Sequence, residues 1–284
     1  HTANRRQRQM CIRDSVINDP ILIKISADHF YLSVADSDVL LWARGLAIGF
    51  GLNVRIREPD VWPLAVQGPK AADVLAKVFG ERIYSIKKFN FDYFSLDGSS
   101  QLIAKTGYSR IGGFEIYLSR PELGSSLWET ILEAGRSENI RPGSPNIIDR
   151  VEAGLLSFGN EMTVENTPLE CNMDKFLDIN KEADYIGKKV LQRQIRYGIK
   201  RRIRGVIYNG PKLPTISRPL QVFDIDKRTI VGSLTSGAFS PHFKKNIGVG
   251  MVKYGYWDNN KKILVNIADQ EFREGLIKDL PLIQ

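Results

Sequence analysis

From residue 200 to its end the chain is a succession of short β-forming runs, at 203–207, 221–223, 229–234, 248–252 and 263–267, broken by Gly, Pro, Asn and Asp. No other feature limits the fold as much. Short strands joined by turn residues leave open sheet edges, and closing the sheet on itself removes them. The spacing therefore predicts a small β-barrel over 200–284.

Upstream the pattern is mixed. Runs 21–25 and 30–34 read as a hairpin joined by Ser26 to His29. Asp36, Ser37 and Asp38 precede Val39, Leu40, Trp42, Ala43 and Leu46, which are apolar at helical spacing behind a capping side chain. Residues 64–67 predict a strand. Gly68-Pro69-Lys70 then opens a helix with proline near its first position, continued by Ala71, Val74, Leu75 and Val78. Strands at 91–96, 101–105 and 113–118 follow, with turns at Asp97-Gly98 and near Gly107. Helices at 127–134 and 147–156 complete the segment. The fold class is α+β, with one domain over 15–199 and the barrel domain over 200–284, and no internal repeat.

Hydrophobic residues make up 43% of the 284 and charged residues 25%, ordinary globular usage that excludes a disordered or collagen-like chain. The best apolar stretch, 39–54, is interrupted by Arg44, Gly45, Gly49 and Gly51, short of the roughly 18–20 residues of a membrane helix. A soluble, cytoplasmic protein without a membrane partner is expected. Cys11, Cys171, His1, His29 and His242 are scattered, so neither a disulfide framework nor a metal site is predicted. Forty Lys and Arg against 32 Asp and Glu give a net +8, which draws anions of many kinds. The aromatic–basic patterns of RNA-binding domains are missing, so nucleic acid is not an expected partner. Residues 1–14 open without Met and crowd Arg5, Arg6, Arg8 and Arg13 in a pattern of neither a secretory signal nor a transit peptide. They read as a non-native leader on a chain lacking its own N-terminus.

Four segments carry candidate chemistry. Asn18-Asp19-Pro20 places a carboxylate just before a strand. Residues 106–115 form a Gly-rich turn holding Tyr108 and ending in the strand carboxylate Glu115. Glu152, in Arg150-Val151-Glu152-Ala153-Gly154, could accept two donors from an amidine-like edge if it turns inward. Residues 235–243 read as a polar turn between two strands. Each also has an ordinary reading: a turn-forming Asx residue, a chain reversal, a solvated helix carboxylate and a barrel loop.

In succession they resemble one family. Ile17-Asn18-Asp19-Pro20, the run 35–43, Gln67-Gly68-Pro69-Lys70 and Phe91-Asp92-Tyr93-Phe94 come first. The run 150–160, Pro168-Leu169-Glu170-Cys171, Tyr185-Ile186-Gly187-Lys188 and Ser236-Gly237-Ala238-Phe239-Ser240-Pro241-His242 follow in order. From about Val16 to its end the chain resembles the folate-dependent T-protein (aminomethyltransferase) superfamily of the glycine cleavage system. Aminomethyltransferases typically carry two aspartates and Leu where this chain has Asn18, Asp19 and Pro20. They carry Tyr-Thr-Gly-Glu at 108–111 and Pro-Thr-Leu where Pro241, His242 and Phe243 stand. These departures resemble the branch that demethylates dimethylsulfoniopropionate, although Tyr108 matches the aminomethyltransferases where that branch has Trp. The iron–sulfur repair relative is disfavoured, since its Lys-Gly-Cys-Tyr signature is absent.

The resemblance implies a T-protein-like, multi-lobed domain that binds tetrahydrofolate, followed by the barrel. It implies that Glu152 binds the pterin edge and that Tyr108 packs near the folate, with Asp36 and Glu115 as further cofactor contacts. Asp19 matches one member of the family's carboxylate pair and would orient the reacting amine or accept its proton; Asn18 replaces the other. In the demethylase branch the sulfonium methyl is already activated, because its departure leaves a neutral thioether. Such a transfer needs alignment more than a strong acid, a benefit of up to roughly 7–11 kcal/mol. Trp42, Trp257 and Tyr108 are candidates to hold the small-molecule sulfonium substrate by cation–π attraction of about 0.5–2 kcal/mol. Lys200, Arg201, Arg202, Arg204, Lys244 and Lys245 would draw the folate's glutamate tail or an anionic carboxylate substrate, or form a solvated strand edge. The alternatives are a glycine-cleavage-type aminomethyltransferase, which needs a lipoyl carrier protein, and a non-catalytic folate-binding protein; a homodimer is compatible with each.

Overall fold

Residues 15–34, 39–109 and 111–283 are described by the computed structural model. They fold as two units, one from the chain up to Phe50 together with Val151–Gln284, the other Gly51–Arg150. The first unit begins with the expected hairpin, β1 (Ile21–Lys24) against β2 (Phe30–Ser33), in which Ile21 faces Ser33 and Lys24 faces Phe30. Its turn is closed by the Ser26 hydroxyl, which donates to Asp28 Oδ1 at 2.6 Å, and by the Ile25 amide on the His29 carbonyl at 2.9 Å. Helix α1 (Val39–Gly49) follows. Its expected capping residues, Asp36 among them, lie outside the described residues.

The second unit is a four-stranded antiparallel sheet backed by helices. It contains β3 (Trp62–Gln67), α2 (Ala71–Phe79), β4 (Phe91–Leu96), β5 (Ser99–Ala104), β6 (Gly113–Leu118) and α3 (Gly124–Ala134). The strand order is β3-β6-β5-β4. Asp97 and Gly98 both take positive φ, as a two-residue hairpin turn between β4 and β5 requires. Val74 and Leu75 of α2 and Leu127 and Ile131 of α3 share one core with Ile103, Phe114 and Ile116 of the sheet. Leu75 is fully buried; cutting it to Ala costs about 2–5 kcal/mol by the usual loss for such a site. Pro69 does not occupy the first helical position. It sits inside a tight turn in which the Ala71 amide reaches the Gly68 carbonyl at 3.1 Å, so its fixed φ sets the turn that leads into the helix.

Helix α4 (Ile147–Ala153) starts behind Asn146, whose Oδ1 accepts the Ile148 amide at 2.9 Å. It ends earlier than the apolar spacing suggests, because Gly154 turns left-handed at φ 66°. A side chain there would also meet Leu280, whose Cβ lies 3.0 Å from where a Cβ would stand.

The barrel is closed, as expected. Its strands are β7 (Arg201–Tyr208), β8 (Leu220–Phe223), β9 (Ile230–Ser240), β10 (Lys245–Lys253), β11 (Lys262–Ala268) and β12 (Glu271–Lys278). They run in the order β10-β7-β12-β11-β8-β9. Every second residue points inward, so Val206 and Tyr208 of β7 meet Ile263 and Val265 of β11 in one core with Leu234 and Ile277. Strand β12 and helix α5 (Lys188–Tyr197), which precedes the barrel, were not expected from the pattern. Of the segment 235–243, only 241–243 lie in a turn, the one between β9 and β10. Residues up to Ser240 continue β9, with Ser236 facing Val249, Ala238 facing Ile247 and Ser240 facing Lys245. Ser236 and Ser240 are buried, so this strand is polar in sequence while lying inside the protein. No helix among the described residues is long and apolar enough to cross a membrane.

Candidate functional site

Glu152 is the next-to-last residue of α4 and only 8% exposed, not a solvated helix carboxylate. The Ser240 hydroxyl donates to its Oε1 at 2.5 Å, and the Phe243 amide donates to Ser240 Oγ at 3.0 Å. The serine at the end of β9 is thereby held in the rotamer that serves the carboxylate. The backbone carbonyl of Glu152 accepts the Leu282 amide at 2.9 Å and the Ile283 amide at 3.2 Å. Helix end, barrel strand and C-terminal segment thus converge on one residue. A carboxylate there is placed against physical preference, out of water and near the negative end of a helix. One hydroxyl offsets part of that; a ligand edge bringing two N–H donors would offset more, which suits the amidine-like face of a pterin.

Asp19 lies just before β1, where its own amide takes the Asn18 side-chain oxygen at 2.7 Å. Asp19 keeps an exposed surface, yet the chain packed around its carboxyl desolvates it enough to outweigh the acid-strengthening backbone hydrogen bond and raise it to about 6. A carboxylate at that value exchanges protons near neutrality, as a general base does. It also belongs to the surroundings of Cys171, whose thiol is pushed up to about 12, chiefly by burial, then by Glu170 and, more weakly, by Asp19. That thiol is therefore inert at neutral pH. The segment around it is tied by hydrogen bonds: Thr167 and Glu170 bond each other's amides reciprocally at 3.1 and 3.4 Å. Arg201 reaches Glu170 at 3.0 Å, and the Val16 amide bonds the Asn166 carbonyl at 2.8 Å.

Tyr108 and Glu115 belong to the second unit. There Gln67, the last residue of β3, organises the Gly-rich loop. Its Nε2 donates to the carbonyls of Thr106 and Phe114, each at 3.2 Å, and its Oε1 accepts the Ser109 hydroxyl at 2.6 Å. Gly113 is required beside it, because a Cβ would come within 2.4 Å of the Val66 carbonyl oxygen. The buried Thr106 hydroxyl donates to Glu115 Oε2 at 2.5 Å, fixing that carboxylate across the loop. Tyr108 is 42% exposed on the same loop. Ser240, Gln67 and Thr106 were not among the expected site residues, although the first two stand in runs that carry the family resemblance.

Asp36 lies outside the described residues. Trp42 is on α1 and partly exposed. Trp257 donates its indole N–H to the Val252 carbonyl at 2.8 Å and stands edge-to-face with Tyr254, ring centroids 5.2 Å apart. The three arginines expected to face an anionic tail are each committed to a carboxylate of the protein. Arg201 takes Glu170, Arg202 takes Asp174 at 3.1 Å, and Arg204 takes Asp279 at 2.6 Å.

The GCVT N-terminal domain model matches residues 7–181, and the glycine cleavage T-protein C-terminal barrel domain model matches 201–279. The dimethylsulfoniopropionate demethylase DmdA of Ruegeria pomeroyi is 44% identical over 245 residues, 86% of this chain and 66% of that protein. The chain thus spans somewhat less than two thirds of that relative. An aminomethyltransferase of a Geobacillus species is 33% identical over 275 residues, 94% of this chain and 74% of that protein. Among solved structures, the glycine cleavage system aminomethyltransferase T of Bartonella henselae superposes with a TM-score of 0.80 at 23% identity, covering 95% of this chain and 73% of that one.

Proposed function

The chain belongs to the glycine cleavage T-protein family of one-carbon transferases, and from that premise we propose that it moves a methyl group from dimethylsulfoniopropionate to N5 of tetrahydrofolate. The products would be methylmercaptopropionate and 5-methyltetrahydrofolate. The observation that carries the reading is Glu152: a buried carboxylate with a serine donor already on one oxygen fits the amidine-like edge of a pterin. The likeness to a protein named dimethylsulfoniopropionate demethylase supports the choice of donor. Bound tetrahydrofolate would supply the nucleophilic nitrogen.

In this reading Glu152 holds and orients the pterin. Tyr108 packs against the folate, with Glu115 and Asp36 as further contacts. Asp19, ionised above pH of about 6, orients the amine or takes its proton. Trp42 and Trp257 offer aromatic faces to the sulfonium. The organisation that goes with this activity is a folate-binding domain over 15–199 and a barrel domain over 200–284, acting in the cytoplasm.

A second reading, aminomethyl transfer from a lipoyl carrier protein, is favoured by Tyr108, which stands where the aminomethyltransferases have tyrosine. The two are separated by incubating the chain with tetrahydrofolate and dimethylsulfoniopropionate and following folate masses. The proposal expects 5-methyltetrahydrofolate with methylmercaptopropionate. Ammonia and 5,10-methylenetetrahydrofolate, formed only with an aminomethylated lipoyl carrier, would replace it with the second reading. Folate binding without turnover of either donor would leave a folate-binding protein.

A further inference from the structure

On the outer face of β7, β12 and β11 lies a cavity of about 590 Å³. These strands are neighbours in the barrel: Ile207 faces Leu276, Leu276 faces Lys262, and Leu264 faces Glu274. Their inward positions hold Val206, Ile263 and Ile277 in the barrel core. By alternation Ile207, Leu264 and Leu276 point outward, where a barrel strand ordinarily carries polar side chains. The three make an apolar floor, and Phe243, from the turn after β9, adds an aromatic ring.

Four lysines share the lining, Lys227, Lys245, Lys262 and Lys278, with one carboxylate, Glu274. Of the four, only Lys245 was expected from the sequence to meet an anion. Lys278 donates to Asn260 Oδ1 at 2.5 Å, and Lys227 lies over the Phe272 ring. Among the described residues, Lys245 and Lys262 pair with no other side chain, and none of the four makes an ion pair with Glu274. Opposite charges thus share one cavity without neutralising each other. Glu274, Leu276 and Lys278 lie on the same face of β12, and four residues of strand separate the carboxylate from Lys278 by about 13 Å.

The occupant follows from this layout. Four lysines against one glutamate leave the lining at a net +3, which calls for an anion of high charge. An anionic group alone would leave the floor bare and meet repulsion from Glu274. The ligand that suits all three parts has a flat ring for the floor, an N–H donor at one edge for Glu274, and concentrated negative charge at its far end. Phosphoryl groups supply that charge, up to about two per group, and lysine binds them as a point charge. We infer that this cavity binds a nucleoside diphosphate. Its base lies on Ile207, Leu264 and Leu276 with an exocyclic amine on Glu274, and its phosphates reach Lys262 and Lys278. The inference goes beyond the proposed methyl transfer and uses none of the residues assigned to it.

The test is calorimetric titration of the 284-residue chain with ADP, and with adenosine and inorganic pyrophosphate as its two halves. It is repeated on Lys262→Ala, Glu274→Ala and Glu152→Gln. Lys262 and Glu274 are exposed, so the first two variants keep the fold, which thermal denaturation verifies. ADP should saturate one site, and each half should bind at least about tenfold more weakly. Lys262→Ala should weaken ADP and pyrophosphate alike, by about tenfold, the scale of one charge-assisted contact. Glu274→Ala should move the two in opposite directions. ADP weakens by about fivefold as the base loses its acceptor, whereas pyrophosphate tightens as a repelling charge leaves. Glu152→Gln should leave the ADP affinity unchanged. Absence of saturation up to about 10 mM ADP would overturn the inference. So would tightening of both ligands in Glu274→Ala, which would reduce the cavity to an unselective cationic patch. Displacement of ADP by tetrahydrofolate, or weaker ADP binding in Glu152→Gln, would overturn it by returning the cavity to the folate site.

Discussion

Ser240 donates its hydroxyl hydrogen to Glu152 across 88 positions of sequence, joining the end of a barrel strand to the end of a short helix. The bond does two things: it satisfies a carboxylate held out of water, and it fixes which way that carboxylate faces. Ser240→Ala should therefore lower stability by about 1–3 kcal/mol, the cost of an unsatisfied buried acceptor, and weaken folate binding with it. Glu152→Gln keeps the shape but gives up the charge and one acceptor oxygen, so it should weaken folate by about tenfold or more. Folate titration of the two variants, with thermal denaturation alongside, checks both. A Glu152→Gln protein that binds folate as tightly as the parent would remove this carboxylate from the site.

The carboxyl of Asp19 is raised to about 6 from an ordinary 3.8. Its charged form is thus disfavoured in the folded state, so the fold loses stability as pH climbs from about 4 through 6. Asp19→Asn removes that penalty. The variant should melt higher than the parent at pH 7–8, and the two melting curves should converge near pH 4. Turnover should follow the opposite course, rising in the parent through pH of about 6 and losing that step in the variant.

Gln67 makes three hydrogen bonds into the Gly-rich loop. Gln67→Ala should cost about 1–3 kcal/mol. Amide exchange should quicken over residues 106–114, while the helix containing Leu75 stays protected. Uniform loss of protection throughout the unit would show that the glutamine supports the whole fold rather than the loop.

The Arg204–Asp279 pair is asymmetric: the arginine side chain is 10% exposed and the aspartate 62%. Removing the aspartate leaves a buried charge, whereas removing the arginine takes that charge away. Asp279→Ala should cost about 1–3 kcal/mol, between the values of exposed and buried pairs. Arg204→Met should cost less. Urea unfolding of both variants gives the comparison, and the reverse order would mean that the arginine stem contributes more through packing than its charge costs.

The barrel is legible in sequence because its inward residues recur every second position between turn residues. Its last strand is not, since Glu271, Arg273, Glu274 and Gly275 interrupt the apolar alternation and leave Ile277 to mark the buried side. Helix α5 is amphipathic but overwhelmingly polar: Val190, Leu191 and Ile195 stand among Lys, Arg and Gln, so it has few apolar residues to draw the eye, and only Leu191 is buried. Among the candidate site residues, Glu152 and Asp19 were singled out through ordered resemblance rather than local pattern. Ser240 was misread as part of a turn, because a small polar residue in a buried strand looks like a loop residue. Gln67 had a faint signal, a lone amide ending the apolar run 62–66. Its partners are about 40 residues away, and no periodicity encodes such pairings.

The carbonyl of Glu152 is bonded to the amides of Leu282 and Ile283, and its carboxylate to Ser240. On a ribosome the helix carrying Glu152 emerges long before any of those three residues exists. The chain must therefore hold this acidic residue for 88 elongation steps before Ser240 is added, several seconds at ordinary synthesis rates of about 5–20 residues per second, and longer still before Leu282 and Ile283 follow. The full set of bonds around this carboxylate therefore forms late, once β9 and the segment carrying Leu282 and Ile283 have been made and docked.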